Sequence, residues 1–357
     1  MRFPMTIKND DLVVATHGRS FWILDDIEPL RQLSADIAKS DVHFYTPEPA
    51  WRARGGRGFG RGGGAVGMNP PSGAIFDYYL KEDAKGPVTL DILDGQGNAV
   101  RHFSSVEQRR RRRGEGAETP SEFEEFFGPA QQRLPAKAGM NRFTWDLRYE
   151  APATVPGFAL WGGRPTGPLA VPGNYKAKLN VNGKDFTVPF EVKLDPRVPT
   201  SVADLQKQFD LAMKIAKRVN EAHEAVNQMQ ELRAQLTDLH DRFEKDPNAK
   251  VVLTSADELV KKLTPIEEEI VQTKSKASED PLNYPIRLNN KLVDLQGTVE
   301  SADTAPTDQS YQVFDMLSGQ LDDALAKWKD VSSKDVASIN DLIRKGNMPV
   351  IYISAGN

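Results

Sequence analysis

Residues 174–200, NYKAKLNVNGKDFTVPFEVKLDPRVPT, end one kind of apolar repeat and stand just before another. Tyr175, Ala177 and Leu179 alternate along one strand, and Phe186, Val188, Phe190, Val192 and Leu194 alternate along the next. Asn182-Gly183 between them supplies the two positive-φ positions of a type I′ turn, so the stretch predicts a β-hairpin with one buried face. Beyond DPRVPT the apolar residues step by threes and fours, from Leu205, Phe209, Ala212, Ile215 and Val219 through Leu239 and Phe243. That spacing predicts one long amphipathic helix stopped near Asp246-Pro247. The period changes near Asp195, which places β structure before it and α structure after it.

Further strand patterns lie on the N-terminal side: AIFDYYL (74–80), VTLDILD (88–94) and NRFTWDL (141–147). Short strands with Gly and Pro turns over this length predict a small antiparallel β-sandwich of immunoglobulin-like type across 70–196. An insertion over 104–139 interrupts it. There Arg109 to Arg113 form a basic block that Glu115, Glu118, Glu122, Glu124 and Glu125 neutralise.

Residues 197–357 read as an antiparallel helical bundle with an extended C-terminal tail. After the first helix, Ser255 and Glu258 form a capping-box pattern ahead of Leu259, Leu263, Ile266 and Ile270. Pro265 inside this pattern predicts a kink, the alternative being a new helix capped by Thr264 with Pro265 at its first position and Glu267 completing the box. A third helix carries Ile286, Leu292, Leu295 and Val299. Asp280 and Tyr284 each precede a proline, so it should begin at or after Asn283, behind an extended connection held by Leu282 and Tyr284. A fourth, after Pro306-Thr307, carries Tyr311, Phe314, Leu317, Leu321, Leu325 and Trp328. A separate short helix near Val336 to Lys345, closed by Gly346, releases the tail MPVIYIS.

At the other end, LVVATHGRSFWILDD (12–26) reads as two strands around a His-Gly-Arg turn, apolar on both alternating faces, so they expect cover above and below. The piece continues to Asp41. Residues 42–69 follow as a connector, with VHFYTPEPAW (42–51) leading into RARGGRGFGRGGGAVG (52–67). Eight glycines and four arginines leave that tract little apolar surface to offset ordering entropy, and it reads as a mobile loop.

The 357-residue length predicts two or three domains. No apolar run approaches the ~18 residues of a membrane span. The absence of cysteine excludes disulfides and thiolate metal sites, and a net charge of −4 gives no general attraction to nucleic acid. The opening MRFPMTIKNDD places Asp and Lys where an export signal would be apolar, so no signal peptide is read here.

The ordered set of these segments, with NPPSGAIFDYYL, AGMNRFTWDLRYEAP, LAVPGNYKAKLNVNGK and DPLNYPIRLNNKLVDLQGTVESADTAPTDQSYQVFDMLSGQLD, resembles the C-terminal part of large bacterial sortilin-like proteins. These are often labelled BNR-repeat glycosyl hydrolases and begin with a β-propeller. VTLDILDGQGNAVR, AGMNRFTWDL and VPGNYKAKL also resemble the Ig-like module of flagellar hook-capping type. The resemblance implies that residues 1–41 are the remnant of the last propeller blade, and that the parent is extracytoplasmic or secreted. No Asp-box repeat occurs in this chain, so a propeller is not expected within it.

His17 and Arg19, around Gly18, are candidate ligand contacts at a blade rim, although such a turn needs Gly whatever it binds. Asp25 and Asp26 are adjacent on a strand and point to opposite faces, which makes them a poor glycosidase pair. His17, His43, His102, His223 and His240 show no metal-ligand spacing, so no metal or cofactor is expected. GRGFGRGGG contains G-x-G-x-x-G but follows no strand and opens no helix, so it predicts no dinucleotide site. Arg52, Arg54, Arg57 and Arg61, with Trp51 and Phe59, are candidates for single-stranded RNA contacts.

Three functions follow. The first is a non-catalytic accessory region that stabilises or presents a propeller and meets protein or carbohydrate surfaces. The second is a glycoside hydrolase whose site lies in the propeller. The third is an RNA binder. The first is the expectation, with no catalytic residue in this chain.

Overall fold

The computed structural model describes residues 4–8, 10–53, 71–106, 133–161, 165–277, 279–346, 351 and 353. They form two compact units, one joining 1–150 to 170–199, the other joining 151–169 to 200–357. Strands fill the first and long helices the second, so α and β structure occupy separate regions with the helices C-terminal.

In the first unit, β1 (Met5–Lys8), β2 (Asp11–Ala15) and β3 (Phe21–Leu24) make an antiparallel sheet in that order, one strand more than the expected hairpin. A single turn, α1 (Glu28–Arg31), leads away from it. The expected connector then contributes two strands, β4 (Val42–Phe44) and β5 (Ala50–Arg52). Three-residue strands separated by Pro47 and Pro49 show no alternation to read, and the partners that order them lie far along the chain.

The remaining strands are β6 (Ala74–Leu80), β7 (Thr89–Leu93), β8 (Ala99–Ser104), β9 (Gly139–Trp145), β10 (Gly173–Val181) and β11 (Lys184–Leu194). One sheet has the order β5-β11-β10-β7-β8, antiparallel except where Ala50 pairs with Val192 in parallel. The other is β4-β6-β9, antiparallel throughout. The β10–β11 hairpin has the predicted register, Val181 opposite Lys184, with Asn182 at φ 51° and Gly183 at φ 80°.

The two sheets meet through aromatic side chains. Phe76 and Trp145 of the smaller sheet approach Phe190 of the larger with centroids 5.2 and 6.1 Å apart, both edge to face. Phe143 meets Phe103 at 4.6 Å. Such pairs each contribute about 0.5–1.5 kcal/mol beyond the area they bury. Of the 104–139 insertion, residues 107–132 lie outside the described residues.

In the second unit, Ser201 accepts a hydrogen bond from Asp204 N–H and starts α2 (Val202–Phe243). The Asp246 carboxylate accepts from Asn248 N–H and sets a 3-10 turn that runs straight into α3 (Lys250–Ile270). Ser255 and Glu258 therefore lie inside α3 and cap nothing, because a stronger stop-and-start signal precedes them. Pro265 sits within the same continuous helix on its exposed side.

α4 spans Leu288–Val299, leaving Ile286 before it. The preceding segment is a 3-10 turn, Asp280–Leu282, rather than an extended connection, and Leu282 is 76% exposed. The Asp280 carbonyl closes the turn by accepting from Asn283 N–H at 2.8 Å, and its carboxylate ties the turn to the chain before it, accepting from the N–H groups of Lys276 and Ala277 at 2.6 and 2.9 Å. α5 runs unbroken from Asp308 to Lys345, capped by Thr307, because no Gly or Pro separates Trp328 from Val336. Ile351 is tied back to the Asn340 side chain by two hydrogen bonds of 2.9 Å.

Cross-helix contacts give the directions. Asn289 meets His223 and the Val299 carbonyl meets Gln208, so α4 opposes α2. Lys262 pairs with Asp335 and Lys327 with Glu269, so α3 opposes α5. Arg218 pairs with Asp322 and Gln228 with Trp328, so the long helices α2 and α5 run the same way. The expected four antiparallel helices are thus two long parallel legs, with α3 and α4 as successive halves of one return leg broken between Val271 and Arg287.

Residues 151–169, expected within the sandwich, belong to this helical unit. They carry no strand period, and their backbone groups find partners on α2 and α4, as detailed below.

Candidate functional site

The N-terminal sheet and the polar cluster at its base form the candidate site. The β2–β3 hairpin turns at Gly18, whose φ of +83° is the left-handed value the sequence anticipates. His17 and Arg19 both stand exposed at this tip. The Trp22 indole N–H donates to the Arg19 carbonyl at 3.1 Å and braces the turn.

Below the tip, β3 exposes every residue it has: Phe21 72%, Trp22 65%, Ile23 58% and Leu24 51%. Met5 and Ile7 on β1 are also exposed. β1 and β3 are the outer strands, so among the described residues neither has a second neighbour. Four consecutive exposed apolar side chains on an open edge are unusual for a free surface. Among the described residues, both faces of the strand lack the cover that its composition demands.

The sheet is anchored at its other end by carboxylates. The Asp11 carboxylate accepts from Asp26 N–H at 3.0 Å, and the Asp26 carboxylate accepts from Glu28 N–H at 3.2 Å. Arg142 of β9 holds the Asp77 carboxylate by two hydrogen bonds of 2.9 and 2.8 Å and reaches Asp26 at 3.6 Å. Asp26 thus closes the sheet onto β6 and β9 instead of lining a cleft, and burial raises its pKa.

Beside it, Asp10, Glu28 and Glu48 bring carboxylate oxygens within 4.8 Å of one another, all half-buried. Arg31 lies 2.6 Å from Asp10 and 3.9 Å from Glu28. Burial first, then the Asp10 carboxylate, push the Glu48 carboxyl up to about 7. Oxygen ligands at this spacing suit a hard cation, but Arg31 already supplies positive charge there. The spacing is tighter than the ~5–5.5 Å of a retaining glycosidase pair. No signal in the sequence linked these three residues, because they come from a turn, a short helix and a proline-flanked loop.

A shallow cleft of about 340 Å³ lies among Pro47, Pro49, Asn174, Tyr175, Phe190 and Glu191, with Glu191 its one carboxylate. Asp146 is exposed and its carboxylate accepts locally from Arg148 N–H. Of the RNA-binding candidates, Arg52 is 2% exposed and donates to the Ala170 carbonyl at 2.8 Å, so it supports β5 from within and offers no charge to a ligand. Arg54, Arg57 and Arg61 lie outside the described residues.

The chain matches no protein-family model and no curated protein. Among the described residues no helix is long and apolar enough to cross a membrane.

Proposed function

We propose that this chain is a non-catalytic accessory region whose N-terminal sheet docks onto further β structure. The observation that carries this reading is the run Phe21 to Leu24, exposed on both faces of an outer strand. An added strand would pair its edge, and a packed neighbour would bury its side chains. The resemblance to sortilin-like C-terminal regions makes a propeller blade the natural partner, with the immunoglobulin-like sandwich and the helices presenting or bracing it.

The test replaces Phe21 and Ile23 together with lysine. Sedimentation at high micromolar concentration should show the parent chain self-associating through this strand and the variant monomeric, with unchanged circular dichroism. A monomeric parent would count against the docking face. Chromogenic glycosides should give no turnover above background. Turnover lost on substituting Asp25, Asp26 or Asp146 would reinstate the hydrolase.

A further inference from the structure

The helical unit has an unusual set of buried polar side chains. His223, Asn289, Asn290 and Gln296 are each at most 3% exposed, on helix faces that otherwise bury Val219, Val226, Leu292 and Leu295. Burying such groups without partners costs about 1–3 kcal/mol each, so their partners explain their presence. For His223, Asn290 and Gln296 those partners are backbone groups of residues 151–169, while Asn289 braces His223 and accepts from the Asn290 N–H.

Ala153 is held on both sides, its N–H donating to Asn220 Oδ1 at 2.9 Å and its carbonyl accepting from His223 Nδ1 at 2.5 Å. Asn289 Nδ2, 3.3 Å away, donates to His223 Nε2, which fixes the neutral tautomer, and burial pushes the imidazole pKa down in the same sense. Asn227 donates to the Thr154 carbonyl at 3.0 Å. Further along, Trp161 N–H donates to Asn290 Oδ1 at 2.7 Å, Gln296 donates to the Thr166 carbonyl at 2.9 Å, and Leu169 N–H donates to Glu300 at 2.8 Å. Side chains of α2 and α4 therefore read an irregular segment through its main chain.

Two side chains of the segment anchor it. Val155 is 8% exposed within the helical core, and three residues on Phe158 packs at its margin under the Lys276 ammonium, 4.7 Å from the ring centroid. Phe158 and its neighbours sit at the break between α3 and α4, against Ser275, whose buried hydroxyl has no partner among the described residues. The Ala159 N–H donates to the Ser275 carbonyl at 3.4 Å.

We propose that α2, α4 and the break in the return leg form a receptor groove for an irregular peptide that turns at a Pro-Gly pair, with residues 151–161 and 165–169 as its resident occupant. The ligand class is a peptide of small residues carrying a branched aliphatic and, three positions later, an aromatic side chain. Main-chain recognition tolerates sequence change, so any such peptide competes with the segment for the same hydrogen bonds. Held in the same chain, the segment has an effective concentration that free peptides in solution do not match. Opening it is what admits a ligand.

The experiment uses the 357-residue chain and a fluorescein-labelled peptide of residues 151–161, APATVPGFALW. The parent should show weak binding by anisotropy. A variant with Val155→Asp and Phe158→Ala in the resident segment should bind at least tenfold more tightly while keeping its helical circular dichroism, and adding Asn227→Leu and Asn290→Leu should abolish the gain. A helical variant that does not bind overturns the proposal. Hydrogen exchange on the parent is the second measurement and needs no variant. The amides of Ala153, Trp161 and Leu169 should exchange at least a hundredfold faster than core amides of α2. Exchange at one common rate would mean that the segment is inseparable from the core, and would overturn the proposal too.

Discussion

Arg142 and Asp77 stand directly opposite each other on β9 and β6 and are joined by two parallel hydrogen bonds. Asp77 is buried whereas Arg142 is half-exposed, so the pair is asymmetric. Arg142→Ala would leave a buried carboxylate without its cation. A fully buried pair costs ~3–5 kcal/mol to break, and the exposure of Arg142 lowers the expected loss to about 2–3 kcal/mol. Urea unfolding of the variant should show it, and Asp77→Asn on the Arg142→Ala background should recover part of it.

Glu48 supplies a pH test. Its carboxyl is raised from an ordinary 4.5 to about 7, by burial and then by Asp10. The folded state therefore binds this proton more tightly than the unfolded chain does. The stabilisation is full below about pH 4.5 and is lost as the pH rises through about 7. Thermal unfolding across that window should show a falling midpoint for the parent. Glu48→Gln should flatten the slope, and an unchanged slope would contradict the assignment.

Gly73 has φ +130°, and a Cβ there would run into the main-chain carbonyl of Trp145. Backbone cannot swing aside as a long side chain can. Gly73→Ala should cost about 3 kcal/mol or more, whereas Gly86→Ala, which meets nothing within 4 Å, should change stability by less than about 1 kcal/mol. Paired denaturation curves distinguish the two.

Pro265 lies on the exposed side of a continuous helix, where it removes one hydrogen-bond donor. Pro265→Ala should raise the stability of the helical unit by about 1–3 kcal/mol. A lower melting temperature would show that the proline serves the packing of α3 in some other way.

These sites divide by how far their causes reach along the chain. The β10–β11 hairpin and α2 were legible in the sequence because Asn182-Gly183 and the stepping from Leu205 to Phe243 are local signals. The same locality misled at Ser255 and Glu258, where a capping pattern occurs but the helix has already begun at Lys250. β4 and β5 look like a connector in sequence because three residues cannot display a period, and Ala50 is ordered by Val192. At the candidate site, Phe21 to Leu24 were legible as a strand needing cover. The gathering of Asp10, Glu28 and Glu48, and the burial of Arg52, arise only from packing between distant segments. Asn289 and Asn290 did carry a trace of the resident segment, as polar residues interrupting an apolar face, which gains meaning once their main-chain partners are known.

The path of the chain between its two units also fixes an order of birth. A ribosome releases residues 151–169 before the β10–β11 hairpin and well before α4, whose Glu300 flank binds the last residue of that segment. The β unit is able to close once Leu194 has emerged, with the segment looping out of it and its receptor not yet made. At ~5–20 residues per second, synthesis from Phe158 to Lys276, which caps its ring, takes on the order of ten seconds. For that interval Val155 and Phe158 are unclaimed apolar side chains on a nascent chain, open to a chaperone or to a neighbouring polysome, and the speed of translation through α2 and α3 decides how long they remain so.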